Sequence, residues 1–404
     1  MVATAREFIG DTALEALRRP VLDDARGLPA SVYTSDAFFQ LERERLFPRT
    51  WVGVAFDSDV PEPGDARPFS VFGLPLVLTR DPAGNVHVLH NVCRHRATIV
   101  LDAPCRKAST LKCPYHGWVY RLDGRLEATP FWDGTADAAR CPVDRAANGL
   151  VPVRSGVWNR VVFINLSGDA EPLEDYLAPM RRELGHLDFD ALEVGHTAEW
   201  EFKANWKLVM ENWEVYHHVW VHEGVFDRMS DEVDLKTGQP HSEAVSDGNV
   251  MMLRYLESRP ARSSHPAVAA MPRIPRRHEP EGPVGTANAV LPNTTVTVGP
   301  HAYVPAIYLP LAPGVTYTRM AWFFGPGGGV SDAHQAGRDL TLERWLGPSR
   351  ALEDRQGIRP QDHHCMELQQ LARSSPVADD VKFSTTWEAC VRYFQDWLVR
   401  HIDG

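Results

Sequence analysis

The chain has 404 residues, 44% of them apolar and 24% charged, and a formal net charge of −11. The length calls for two or three domains and the composition is that of an ordinary globular protein. The negative balance argues against a general binder of nucleic acid or of an anionic membrane.

The first 17 residues show no basic segment followed by an apolar run, so no export leader is expected. Residues 36–47 place apolar side chains at helical spacing, with Asp36 as the expected cap and Pro48 as the stop. From Trp51 the pattern changes to short β-like segments at 69–79, 86–89, 118–121 and 161–166. Turn signals at Pro63-Gly64-Asp65, Asp81-Pro82-Ala83-Gly84-Asn85 and Asp123-Gly124 separate them. The last of these runs, Val161-Val162-Phe163-Ile164-Asn165-Leu166, is strand-length and far short of a membrane span, so a cytoplasmic protein is expected. Further on, 173–187 and 206–221 read as helices, 294–298, 302–309 and 316–324 as strands, and 340–352, 361–373 and 387–400 as helices. Strands and helices segregate rather than alternate, which makes the fold class α+β. The expected organisation is a helical segment at 1–47 packing with the last domain, a small antiparallel β-domain at 48–166, and a larger domain at 167–404.

Residues 258–285 hold six prolines (Pro260, Pro266, Pro272, Pro275, Pro280, Pro283) and read as a long loop, either a surface excursion or a pocket lid. Trp206, Trp213 and Trp220 fall seven apart, a spacing that suits core packing better than a cation cage. Gly325-Pro326-Gly327-Gly328-Gly329 lacks the Lys-Ser/Thr of a phosphate loop and reads as a turn. Six cysteines are too few and too scattered for a disulfide framework, so Cys105, Cys141, Cys365 and Cys390 are expected to be reduced and structural.

The small β-domain carries two tight pairs, Cys93-Arg94-His95 and Cys113-Pro114-Tyr115-His116, with 17 residues between His95 and Cys113. Zinc is the alternative for any Cys/His tetrad, but its patterns usually pair Cys with Cys and His with His. One Cys and one His from each loop suit a [2Fe–2S] cluster of the Rieske type. In it Cys93 and Cys113 hold one iron, and His95 and His116 the other. Two neutral imidazoles make such a cluster less negative than four thiolates would, which raises its potential.

Cys93-Arg94-His95-Arg96 and Cys113-Pro114-Tyr115-His116-Gly117-Trp118-Val119-Tyr120-Arg121-Leu122-Asp123-Gly124 resemble the Rieske domain of the ring-hydroxylating oxygenase α-subunits. The resemblance continues through Asn159-Arg160-Val161-Val162-Phe163-Ile164-Asn165-Leu166 and covers roughly residues 28–400. One departure is Ala97, where the family usually has glycine.

A second set of ligands lies in Asn205-Trp206-Lys207-Leu208-Val209-Met210-Glu211-Asn212-Trp213-Glu214-Val215-Tyr216-His217-His218-Val219-Trp220-Val221-His222. Two histidines and a carboxylate in a facial triad leave open positions on Fe(II) for oxygen. His217 and His222 are the expected imidazoles, with His218 the rival to His217. A five-residue step turns an ideal helix by about 140°, so the helix must end or distort between them. Glu214 and His217, three apart, share a helix face, which lets Glu214 orient that ring.

This segment resembles the family signature of Asn-Trp-Lys, Glu-Asn, an acid, Tyr-His and His. The resemblance makes Glu214 the electron bridge between one subunit's cluster ligand and the next subunit's iron ligand, in a head-to-tail homotrimer. Glu rather than Asp there is similar to the branch acting on carnitine, choline and related quaternary amines, although His218-Val219 and Glu223 depart from that branch. Gln361-Asp362-His363-His364-Cys365-Met366-Glu367-Leu368-Gln369-Gln370 resembles the family's acid followed by Glu five and Gln eight residues later. That makes Asp362 the third iron ligand; an N-cap role for Asp362 and a ligand role for Asp354 are the alternatives.

The resemblance implies the terminal oxygenase of a Rieske system with a [2Fe–2S] cluster, mononuclear Fe(II) and O2 as co-substrate. No nicotinamide or flavin fingerprint is present, so NAD(P)H is expected to act only indirectly, through a separate flavin or iron–sulfur reductase or a ferredoxin. The expected reaction is monooxygenation of a small molecule, by hydroxylation or oxidative N- or O-demethylation, on a quaternary-ammonium or amino-acid-like substrate. Aromatic ring dihydroxylation is the alternative. A pure electron-transfer iron–sulfur protein would have no use for the second triad.

Overall fold

The computed structural model describes the chain except residues 1–3, 19–25, 136–142, 214–217, 226–227, 257–264, 281–284, 380, 385 and 404. It divides into two units, one of residues 53–170 and one of residues 1–52 with 171–404. Helices and antiparallel sheets occupy separate stretches of chain, so the α+β class holds. Among the described residues no helix is long and apolar enough to cross a membrane.

The unit of residues 53–170 is built on nine short strands: β1 (Val52–Phe56), β2 (Ala66–Val71), β3 (Leu74–Arg80), β4 (Val86–His90), β5 (Leu111–Lys112), β6 (Val119–Tyr120), β7 (Leu126–Ala128), β8 (Pro152–Trp158) and β9 (Val161–Asn165). Six form a sheet in the order β1-β9-β8-β4-β3-β2, and β5-β6-β7 form a second, smaller sheet. The stretch 69–79, expected as one strand, is a hairpin. Phe72 and Gly73 both have positive φ (51° and 80°), the geometry of a two-residue turn between β2 and β3. Phenylalanine is not a usual residue for that turn, so the apolar run reads as unbroken. Val77, Leu89, Leu111, Trp118 and Tyr120 enclose Cys93 and Cys113 in one buried cluster.

The other unit centres on seven antiparallel strands: β10 (Glu193–Phe202), β11 (Ser242–Asp247), β12 (Val250–Tyr255), β13 (Gly285–Val290), β14 (Thr294–Val298), β15 (Ala302–Ala312) and β16 (Val315–Phe324). Their order is β10-β16-β15-β14-β13-β12-β11, so the chain runs as a meander from β11 to β16 and β10 closes the far edge. Five helices matter for the site: α1 (Asp36–Leu41), α2 (Trp206–Glu211), α3 (Gln335–Leu346), α4 (Ile358–Ala372) and α5 (Ala389–Asp403).

Several element boundaries differ from expectation for local reasons. Ser35, not Asp36, caps α1: its side chain accepts the Phe38 amide, and Asp36 is the first helical residue. A π-turn over Glu42–Leu46 follows. The stretch 173–187 is two helices, Leu173–Tyr176 and Ala178–Leu184; Leu177 leaves helical geometry (φ −97°, ψ 7°) and Pro179 falls in the first turn of the second. Helix α3 begins five residues before the expected start and ends at Gly347, whose φ of 81° suits a C-cap glycine. Of the long helix expected over 206–221, the described residues hold α2, which ends at Glu211, and a separate single turn at Val219–Val221. Trp206 and Trp213 are core residues, whereas Trp220 is 69% exposed. Parts of the proline-rich stretch lie outside the described residues; the rest holds one helical turn, Pro266–Ala269, and Gly285 already begins β13. Cys93, Cys105, Cys113, Cys365 and Cys390 are free thiols, while Cys141 lies outside the described residues.

Candidate metal centres

The first centre is two loops with one hydrogen-bonding plan. In the loop after β4, the Ala97 amide donates to the Cys93 carbonyl (3.0 Å) and the Cys93 amide to the Thr98 carbonyl (2.8 Å). In the loop after β5, the Gly117 amide donates to the Cys113 carbonyl (3.1 Å) and the Cys113 amide to the Trp118 carbonyl (2.8 Å). Each loop thus turns back four residues after its cysteine, and that fourth residue has positive φ: 56° at Ala97 and 73° at Gly117. This explains a glycine preference at position 97 and shows that alanine occupies it under strain.

The cysteines are buried and the histidines lie toward the surface. The His95 and His116 rings stand 4.5 Å apart between centroids, and His95 stacks on Trp118 at 5.2 Å with an interplanar angle of 7°. The Tyr120 hydroxyl lies 3.2 Å from Cys93 Sγ and accepts the Arg94 amide at 3.0 Å. Burial pushes the Cys93 thiol up, the Tyr120 hydrogen bond opposes it, and the neighbouring Cys113 sulfur adds to the rise. Two close sulfurs raise the cost of ionising either one unless a cation lies between them. Burial also lowers His95, with His116 and Arg96 adding to the effect, which favours the neutral, ligating imidazole. His95 Nδ1 is buried with no hydrogen-bond partner among the described residues. An orphaned imidazole nitrogen beside paired thiols is what a cluster held by Cys93, Cys113, His95 and His116 requires.

The second centre is assembled by α2 and α4. Asn205 starts α2 by accepting the Lys207 amide (3.0 Å), and its side-chain amide donates to the carbonyls of Tyr33 (3.1 Å) and Pro313 (2.6 Å). Helix α4 clamps the same strand-to-helix junction. Glu367 accepts the Lys203 amide (2.9 Å), and Gln370 accepts the Asn205 amide (3.0 Å) while donating to the Tyr33 carbonyl (3.3 Å). Under α2, Lys207 donates to Glu42 at 2.6 Å with both side chains fully buried, and Trp206 donates to the same carboxylate.

With these two helices fixed, His218, His222 and Asp362 present one ligand atom each within 4.8 Å of one another. Asp362 Oδ1 lies 3.3 Å from His222 Nε2 and 3.7 Å from His218 Nε2, and it accepts from Asn212 at 3.2 Å. His222 Nδ1 faces Gln361 Oε1 at 3.3 Å, while Gln361 Nε2 donates to the Glu223 carbonyl at 3.1 Å. Gln361 thereby assigns the proton to Nδ1 and leaves Nε2, the nitrogen facing Asp362, available to a metal. Burial pushes the Asp362 carboxyl up, but His222, His218 and Arg359 together hold it well below the usual carboxylate range. A buried carboxylate kept ionised beside two imidazoles fits a divalent cation.

Of the residues expected here, His222 and Asp362 are brought together, Asp354 is exposed in a turn of its own, and Glu214 and His217 lie outside the described residues. Asn212, Gln361 and Arg359 escaped sequence reading. Gln361 and Arg359 adjoin Asp362 within one helical turn, which was the available signal.

The model of the Rieske [2Fe–2S] domain matches residues 50–139, and that of the ring-hydroxylating α-subunit catalytic domain matches residues 189–404. The chain belongs to the ring-hydroxylating oxygenase α-subunit family. The glycine betaine monooxygenase oxygenase subunit of Pseudomonas aeruginosa is 30% identical over 224 residues, 54% of this chain and 51% of that protein. The chlorobenzene dioxygenase α-subunit of Cupriavidus sp. is 30% identical over 193 residues, 46% of this chain and 42% of that one. The chain thus spans about half the length of the curated relatives it matches. The quaternary ammonium Rieske monooxygenase CntA superposes with a TM-score of 0.73 at 22% identity, over 96% of this chain and 98% of that chain. That likeness establishes the shared fold.

Proposed function

We propose that this chain is the terminal oxygenase of a Rieske system and acts as a monooxygenase on a small molecule, by hydroxylation or oxidative demethylation. The observation that carries this reading is the pairing, on one chain, of a Cys93/His95/Cys113/His116 set with a buried His222/Asp362 site. When bound, the [2Fe–2S] cluster relays single electrons and the mononuclear Fe(II) supplies oxygen activation. Around the first, Tyr120 and Trp118 hold the cysteine and histidine side chains in place. Around the second, Gln361 fixes the His222 tautomer and Asn212 orients Asp362.

The third iron ligand in this reading is His217, five residues before His222, with Glu214 as the electron bridge to a neighbouring subunit of a head-to-tail trimer. His218 as the ligand is a second reading, favoured by its position 3.7 Å from Asp362. Electrons come from a separate flavin or iron–sulfur reductase or a ferredoxin, in the cytoplasm. The betaine and quaternary-ammonium relatives support a quaternary-ammonium or amino-acid-like substrate. The dioxygenase relative supports ring dihydroxylation as the alternative.

The test is reductase-coupled, substrate-dependent oxygen uptake with mass analysis of the product. Gain of one oxygen or loss of a methyl group is expected; incorporation of two oxygens overturns monooxygenation. Absence of uptake with every substrate, in protein holding both metals, overturns the oxygenase reading.

A further inference from the structure

One face of the seven-stranded sheet lies under the buried side of α4. Trp200 Nε1 on β10 donates to His363 Nδ1 at 3.0 Å, and Phe202 stacks on the His363 ring at 4.2 Å. Cross-strand register puts Trp200, Thr318 and Tyr308 in one row on that face. The next row on the same face runs Ala198, Met320, Ala306, Thr295, Ala289. Three alanines keep the side chains of that row short.

Several polar atoms on this face and on the facing turn of α4 are left over. The Thr318 hydroxyl, Trp322 Nε1, His363 Nε2 and Arg359 Nε are buried and have no hydrogen-bond partner among the described residues, and the Tyr308 hydroxyl has only that of Thr295. An orphaned buried donor costs about 1–3 kcal/mol, so a set of them on this face and on the facing turn of α4 marks a place for a ligand. Their chemistry is one-sided. His363 accepts from Trp200 at Nδ1, so the neutral ring carries its proton on Nε2. Arg359 and Trp322 can only donate. Arg359 shares the α4 face of His363 one turn away, and its guanidinium stays 3.7 Å from Asp362 and over the Trp345 ring at 5.2 Å.

We propose that this donor cluster faces the substrate and selects molecules bearing a carboxylate, held by Arg359 Nε and the Tyr308 hydroxyl next to Asp362. The inference rests on the metal site assigned above. A carboxylate supplies the acceptors that the surrounding donors lack, and it compensates a guanidinium whose one carboxylate neighbour among the described residues, Asp362, is assigned to the metal. Choline-like cations without an acid group lack that match.

The test is calorimetric binding to the holoprotein, without reductase, of matched probes: glycine betaine against choline, benzoate against benzyl alcohol, and butyrate against butanol. At least one carboxylate is expected to bind about tenfold or more tightly than its alcohol partner. Arg359→Gln should erase that preference, and Arg359→Lys should restore part of it. Tyr308→Phe should weaken the carboxylate several-fold and leave the alcohol unchanged, which keeps the test open if Arg359→Gln does not fold. Failure of every carboxylate to bind, equal binding of the alcohols, or an unchanged preference in both Arg359→Gln and Tyr308→Phe overturns the inference. Iron content and oxygen uptake of His222→Ala judge the metal site separately.

Discussion

The Tyr120 hydroxyl stands 3.2 Å from Cys93 Sγ, close enough to hydrogen-bond to that sulfur. Hydrogen bonds to cluster sulfur stabilise the more negative, reduced state and raise the potential. Tyr120→Phe should therefore lower the midpoint potential. Loss of about 1 kcal/mol in the reduced form corresponds to roughly 40 mV for one electron. A redox titration followed by the visible spectrum checks this, and an unchanged potential with an intact spectrum refutes it.

Ala97 holds φ at 56° in the first ligand loop, where Gly117 holds 73° in the second. Ala97→Gly removes the left-handed strain of about 1–2 kcal/mol and returns part of it through the unfolded chain. A net gain of roughly 0.5–1 kcal/mol in denaturant stability is expected, with cluster content unchanged. Destabilisation would show that the alanine methyl contributes packing that outweighs the strain.

Iron analysis separates the histidines. His222→Ala and Asp362→Ala should each remove most mononuclear iron while preserving the cluster absorbance. His217→Ala should do the same, and His218→Ala should retain iron. Reversal of the last two results would make His218 the ligand.

Lys207 and Glu42 form a fully buried pair at 2.6 Å beneath α2, where burial pushes the carboxyl up and the ammonium down. Breaking such a pair strands one charge, at a cost of about 3–5 kcal/mol. Lys207→Met should cost that much by chemical denaturation. The double change Lys207→Met with Glu42→Leu should recover a large part of it, and a double variant no better than the single would count against this account.

Asp81 organises the turn between β3 and β4. Its carboxylate accepts the amides of Ala83 and Asn85 (2.9 Å each) and the Asn85 side chain (3.0 Å), and it pairs with His87 at 2.9 Å. Burial pushes its pKa up, but His87 and Asn85 prevail and bring it down to about 2. A carboxyl whose folded pKa is depressed stabilises fully above its unfolded value near 4 and loses that contribution as pH falls through about 2. Wild-type stability should fall through that acid window, and Asp81→Ala should flatten the fall. At neutral pH the variant should lose about 1–3 kcal/mol. Parallel acid profiles for the two proteins would exclude Asp81 as a source of the acid sensitivity.

The Cys93/His95 and Cys113/His116 pairs stood out in the sequence because all four sit in two short loops whose Cys/His spacing is itself the chemical signal. The second centre was legible only where ligand types cluster in sequence. Asp362 was found by the Glu367 and Gln370 that follow it, and both turn out to clamp the Lys203–Asn205 junction rather than touch the metal. The hairpin at Phe72-Gly73 stayed hidden because phenylalanine masks the turn. Strands β10 to β13 escaped because their alternation is irregular, with bulges between Val194 and His196 and between Leu253 and Arg254. The clustering of the Thr295, Thr318 and Tyr308 hydroxyls could not be found from the sequence at all. They come from three different strands, and only cross-strand register puts them on one surface.

Helix α4 is one rod of 15 residues, about 22 Å long, carrying Arg359, Asp362, Glu367 and Gln370 on successive turns. For redesign this sets an order of attack. Arg359 shares that rod with Asp362, so a substitution there is read together with the iron content of the variant. Thr295, Thr318 and Tyr308 belong to the sheet instead, so substrate range can be retuned there while the coordination sphere stays where the helix holds it.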